Sequence, residues 1–115
     1  MSKQSTPVFA LTVIAAEALT AARFVTPTGA VPSSGGNTLG VTLSDAASGA
    51  LAPVGVLGTV VVEAGAAITK GDALKVGTAG KAVTWATSGA KVAIALQAAG
   101  ADGDFIEALL IPNAA

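Results

Sequence analysis

The sequence predicts an all-β fold, a small β-barrel or sandwich built from two pseudo-repeated halves, and three observations lead there. The first is punctuation. Between Val60 and Ala86 two short apolar runs flank turns at Glu63 to Gly65, at Lys70-Gly71-Asp72 and at Gly77 to Gly80, a spacing too short for ordinary helices. The second is period. Leu74 and Val76 alternate with Ala73 and Lys75, and Lys81, Val83 and Trp85 alternate with Ala82, Thr84 and Ala86, which reads as a hairpin on a four-residue loop. The third is repetition. Leu19-Thr20 followed by Phe24-Val25 matches Ile68-Thr69 followed by Ala73-Leu74, Gly29 matches Gly80, and Leu39 to Leu43 matches Val92 to Leu96. Both copies then enter small-residue turns, at Asp45 to Gly49 and at Ala99 to Gly103. Two copies do not make a solenoid, which needs at least about three, so a pseudo-symmetric barrel or sandwich fits better.

In chain order, "MSKQSTP" is polar and ends in a proline, and residues 1–8 read as a flexible N-terminal arm ahead of a single β domain over 9–115. The apolar run Val8 to Ala22 falls short of the roughly 20 residues that span a bilayer. Glu17 interrupts it, which also weakens a signal-peptide reading. An Ala-rich helix over Ala15 to Arg23 competes with the preferred assignment: a strand near Phe9 to Ala15, a turn, and a strand near Phe24 to Thr26. Pro27 to Asn37, with Gly29, Pro32 and "SSGGN", is the most loop-like region and the expected mobile excursion. Further strands are expected at Thr38 to Leu43, at Leu51 to Val62 (one long strand, or two broken near Gly55 and Gly58), at Val92 to Gln97 and at Phe105 to Ile111.

Composition limits the chemistry. The 115 residues are 52% hydrophobic but only 3% aromatic, so Ala and Val must make a thin core. Charged residues are 11% of the chain, against about 25% in an ordinary soluble domain, and such a surface is poor at staying monomeric. Net charge is −1, and the basic residues Lys3, Arg23, Lys70, Lys75, Lys81 and Lys91 are dispersed, which argues against nucleic acid and anionic membranes as partners. There is no cysteine and no histidine, which removes disulfides, thiolate nucleophiles and the commonest general base and metal ligand.

No motif supplies a catalytic or cofactor site. Gly77 to Lys81 lacks the spacing, the following Ser or Thr and the helix of a phosphate-binding loop. Asp102-Gly103-Asp104 with Glu107 lacks the ligand number of a calcium site and reads as a solvated turn. Glu17, Glu63 and Asp72 are too scattered to form a carboxylate pair. Lys81 follows a hairpin turn, as does the acylated lysine of biotinyl and lipoyl carrier domains, but glycine precedes it where those families carry methionine or aspartate. A solvated lysine is the plainer reading.

Over its whole length the chain resembles the capsid decoration, or cement, proteins of tailed bacteriophages. The resembling stretches are "PVFALTVIAAEALTAARFVTPTG" at Pro7 to Gly29, "LGVTLSDAASGALAPV" at Leu39 to Val54, "VEAGAAITKGDALKVGTAGKAV" at Val62 to Val83 and "IALQAAGADGDFIEALLI" at Ile94 to Ile111, the third being the most specific. The resemblance implies a β-tulip-type fold, homotrimers on the outer surface of the mature head, the major capsid protein as partner, no cofactor, and a shell stabilised against internal DNA pressure. It also implies a capsid-gripping role for the N-terminal residues Ser2, Lys3, Gln4, Ser5, Thr6, Pro7, Val8 and Phe9. The virion exterior is the expected location, with the host cytoplasm as the place of assembly. A carrier domain modified at Lys81 and a β-sandwich surface or fibre module are the alternatives.

Overall fold

One strand, Leu51–Glu63, organises the molecule. The computed structural model describes residues 6–111. In it, β1 (Thr6–Ile14), β2 (Phe24–Val25), β3 (Gly40–Thr42), β4 (Leu51–Glu63), β5 (Ala73–Val76), β6 (Ala82–Thr84), β7 (Ala93–Ala95) and β8 (Phe105–Leu110) form an antiparallel sheet ordered β2-β3-β4-β8-β7-β5-β6, with β1 on β4. The described residues contain no α-helix, so Ala15 to Arg23 is turn and bridge instead. β4 is continuous through Gly55 and Gly58, with Gly58 at φ 96° opposite a bulge in β1.

β4 belongs to two copies of one unit. Its first half pairs with β1, Leu11 opposite Val54 through Ile14 opposite Leu51. Its second half pairs with β8 in the same way, Val60 opposite Ala108 through Glu63 opposite Phe105. The β2–β3 pairs Phe24–Val41 and Val25–Gly40 recur in β5 and β7 as Ala73–Ile94 and Leu74–Ala93. The bridge Leu19–Ala46 recurs as Ile68–Ala99. Each copy also closes on itself: Ala16 N–H donates to Gly29 O at 2.9 Å, and Gly65 N–H to Ala82 O at 2.7 Å. The result is one barrel-shaped sheet in which two copies of a unit share a long strand, the pseudo-repeat anticipated from the sequence.

Alternation along β4 serves both interiors. Ala52 and Val54 enter a first core with Leu19, Val25 and Ala46. Val60 and Val62 enter a larger one with Leu74, Val76, Val92 and Ile106. Seven valines are fully buried, each contributing roughly 1.5–3 kcal/mol, so stability is spread over many small contacts. The halves are coupled because Phe24 and Val41, which belong to the first copy, pack into the second core.

Three local expectations need correction. Strand β1 begins at Thr6 rather than near Phe9; Pro7 is tolerated because β1 pairs only with β4 and needs no second ladder bond there. Lys81 lies in the hairpin turn behind a short 3-10 segment, Thr78–Gly80, so β6 starts at Ala82. The Gly-rich loop is tied at its centre rather than free, with Gly35 N–H donating to Val76 O at 2.7 Å and Ala90 N–H to Gly35 O at 3.0 Å.

The repeat exposes one uneven position. Gly71 N–H bonds Ala95 O as Ala22 N–H bonds Thr42 O, and both residues have positive φ, 94° and 64°. A Cβ on Gly71 would meet nothing, so Gly71→Ala should cost about 1 kcal/mol through backbone strain alone. Ala22→Gly should be neutral or stabilising by up to about 1 kcal/mol. Urea unfolding of the two variants checks both signs.

Candidate functional site

β1 carries the residues that the sequence placed in contact with a partner. Ser2, Lys3, Gln4 and Ser5 lie outside the described residues; Thr6, Pro7, Val8 and Phe9 form the start of β1, with Thr6 opposite Thr59, Pro7 opposite Gly58 and Phe9 opposite Leu57. The bulge between Pro7 and Ala10 sets Phe9 and Leu57 side by side, 51% and 39% exposed. They border an apolar groove of about 310 Å³ whose walls include Leu11, Leu39, Val56 and Ile111. At the other end of β1 the facing pair Ile14 and Leu51 is 64% and 69% exposed. In the second copy the same two places hold Glu63 and Phe105.

Glu63 is the hub of a chain of charges between the copies. Its Oε1 accepts from Arg23 Nε at 3.0 Å, its Oε2 lies 3.4 Å from Lys81 Nζ, and Lys81 Nζ donates to Asp102 Oδ1 at 3.0 Å. The Glu63 backbone N–H also donates to Ala22 O at 2.7 Å. The hydrogen bond to Asp102, then the fields of Asp102 and Glu63, raise the Lys81 ammonium above the ordinary lysine pKa of 10.5 against a partial loss of hydration. Lys81 is therefore ion-paired on both sides rather than simply solvated. A carrier lysine must be displayed on a free turn, and this one is held against the barrel.

Other groups settle as structure. Asp104 Oδ2 accepts from Gly100 N–H at 2.8 Å and Ala101 N–H at 3.3 Å, closing the turn before β8. Lys91 Nζ sits 4.3 Å over the Trp85 ring, whose Nε1 donates to Gly89 O at 2.8 Å. Among the described residues no group of three or more His, Cys, Asp or Glu side chains converges as a metal site. Sequence reasoning placed Glu107 with a solvated turn, whereas it is 3% exposed with Oε1 lacking a hydrogen-bond partner, and it missed the exposed apolar side chains of β1, β4 and β8. The signal for those on β4 is the run Leu51 to Val62, which is apolar at successive positions where a one-sided strand would alternate.

Comparison with known proteins converges on one group. The family described as phage cement protein matches residues 3–110. The fold is similar to the crystal structure of the N base of head fiber gp8.5 in bacteriophage phi29, with a TM-score of 0.72, 22% sequence identity, and coverage of 90% of this chain and 93% of that chain. None of the curated proteins is significantly similar in sequence.

The charge chain gives two expectations. Glu63→Gln should destabilise by on the order of 1 kcal/mol at low salt and less at high salt, read by urea unfolding at two ionic strengths. Because the Lys81 pKa is raised on folding, its contribution is fully present below the ordinary lysine range and is lost as pH rises through the folded-state value. The stability gap between wild type and Lys81→Met should therefore be constant from pH 7 to 9 and close above it.

Proposed function

Because this chain belongs to the phage cement protein family, a group of structural proteins of the phage head, we propose that it binds the exterior of the mature head and braces the shell against the pressure of packaged DNA. In this reading it acts as a homotrimer, its lattice partner is the major capsid protein, and it assembles on heads in the host cytoplasm. The observation that carries the proposal is the family match across both copies of the repeat, from residue 3 to residue 110, so that the whole fold is accounted for.

The structure supplies a physical route. β1 is paired along β4, with its first residue Thr6 opposite Thr59. Ser2, Lys3, Gln4 and Ser5, together with Thr6 to Phe9, form the proposed grip on the lattice. Binding that favours the expanded shell stabilises it by mass action, about 2.7 kcal/mol per site when free protein is at 100 times its Kd. Repeated over many sites, that opposes rupture. The function is mechanical and non-enzymatic in this proposal, and the chain's lack of histidine and cysteine suits it.

Cosedimentation with expanded and unexpanded heads of the phage that encodes the protein tests it. Saturable binding, at least tenfold tighter to expanded heads, is expected, together with higher head survival under heat or osmotic shock. A chain lacking Ser2 to Ser5, which leaves β1 whole, should bind at least tenfold more weakly. Equal or absent binding to both head forms would overturn the proposal.

A further inference from the structure

The four aspartates of the chain are held in different ways. Asp45 Oδ1 accepts from Ala21 N–H at 2.7 Å, Asp72 Oδ2 from Thr69 N–H and the Thr84 hydroxyl, each at 3.1 Å, and Asp104 Oδ2 from the N–H groups of Gly100 and Ala101. These three carboxylates are tied to backbone. Asp102 is tied by a side chain alone: its Oδ1 accepts from the Lys81 ammonium at 3.0 Å, and the Asp102 side chain is 63% exposed. Asp102 is also the aspartate that precedes a glycine, whereas the others precede Ala46, Ala73 and Phe105.

An aspartate before glycine is chemically labile for a steric reason. The amide nitrogen of the next residue can close on the side-chain carboxyl carbon to form a five-membered ring, and a glycine, having no Cβ, leaves that approach open. Here Gly103 has φ 96°, a Cβ added to it would meet nothing within 4 Å, and residues 101–105 are all exposed. Two contacts oppose closure. Gly103 N–H donates to Ala64 O at 2.8 Å, which holds the attacking nitrogen against the end of β4. The Lys81 ammonium holds the Asp102 carboxylate as the last member of the charge chain that runs from Arg23 through Glu63.

We propose that Asp102 is a site of spontaneous covalent modification, isomerisation to isoaspartate, and that its ion pair with Lys81 restrains the reaction. In the first step Gly103 N bonds to Asp102 Cγ, and the amide proton, one carboxyl oxygen and a solvent proton leave as water, giving a succinimide. Water then adds at the main-chain carbonyl carbon of the ring and that carbon's bond to Gly103 N breaks, returning the proton to solvent. The chain now runs through Asp102 Cβ and Cγ, and the former main-chain carbonyl is a free carboxylate. Nothing is oxidised or reduced. The backbone is one methylene longer in a turn where Gly103 N–H bonds Ala64 O, Ala64 N–H bonds Asp104 O at 2.7 Å and Asp104 N–H bonds Ala101 O at 3.3 Å. A longer turn cannot keep all three bonds, and β8 begins immediately after it at Phe105. Ageing of the chain therefore acts next to Glu63, where the two copies are joined by charge. This inference is independent of binding to heads.

The purified full chain is incubated at physiological temperature and neutral pH, in buffer and in urea. Isoaspartate is counted by labelling with protein isoaspartyl methyltransferase and located by electron-transfer fragmentation of the tryptic peptide that begins at Val92 and carries both Asp102 and Asp104. It should accumulate at Asp102 ahead of the other three aspartates, and more slowly in the folded chain than in urea. Lys81→Met should isomerise about fivefold faster than wild type, near the most that an exposed ion pair can hold back, while Lys81→Arg, which keeps the cation, should match wild type. Glu63→Gln weakens the charge chain but leaves the Lys81–Asp102 pair, so its rate should stay within about twofold of wild type. Asp102→Glu, which would need a six-membered ring, should show no isomerised product at that position. No isoaspartate at Asp102 in either wild type or Lys81→Met, or equal rates in buffer and in urea, would overturn the proposal. Equal acceleration by Glu63→Gln and Lys81→Met would assign the effect to general loss of stability and overturn the restraint by the ion pair.

Discussion

The register of β4 is the constraint on which the rest depends. Thirteen residues serve as the last strand of one copy of the repeat and the first strand of the next. A slip of one residue would turn Val54, Val60 and Val62 outward and bring Leu57 and Val61 in, emptying two cores at once. With small side chains and few aromatics, neither core could absorb that loss. The kink at Gly58 and the facing bulge in β1 sit between the halves, where the strand passes from one interior to the other.

Divergence between the copies explains both their attachment and their exposed surface. Phe24 and Val41 turn into the second core, while their counterparts Ala73 and Ile94 do not fill an equivalent space in the first. The second copy gains β6, which the first lacks. Where the second copy places Glu63 and Phe105, joined to Arg23 and Lys81 through Glu63, the first leaves Ile14 and Leu51 open to solvent. One end of the shared strand is thus locked by charge and the other is left apolar.

Much of the fold was legible in the sequence because its signals are local. Gly71, Gly77 and Gly103 mark turns, alternation marks β5, and the matched stretches around Leu19 and Ile68 are the ones that form equivalent bridges. What could not be read depends on distance in the chain. Arg23 and Glu63 are 40 residues apart, so nothing near Lys81 announces that it will be ion-paired. Gly35 looks like free loop until Val76 and Ala90 are brought to it. The start of β1 was obscured by Pro7, which punctuates most strands but is admitted at an edge. The partner-facing residues were placed at the N-terminus by position; the exposed apolar side chains escaped notice because an apolar count does not say which side of a sheet a residue takes.

The most direct test of a cement function is cryo-electron microscopy of heads saturated with the protein. Density outside the shell is expected at threefold and quasi-threefold positions, as trimers whose N-terminal residues contact the major capsid protein. Heads with no added exterior density, or with isolated monomers on the shell, would contradict it.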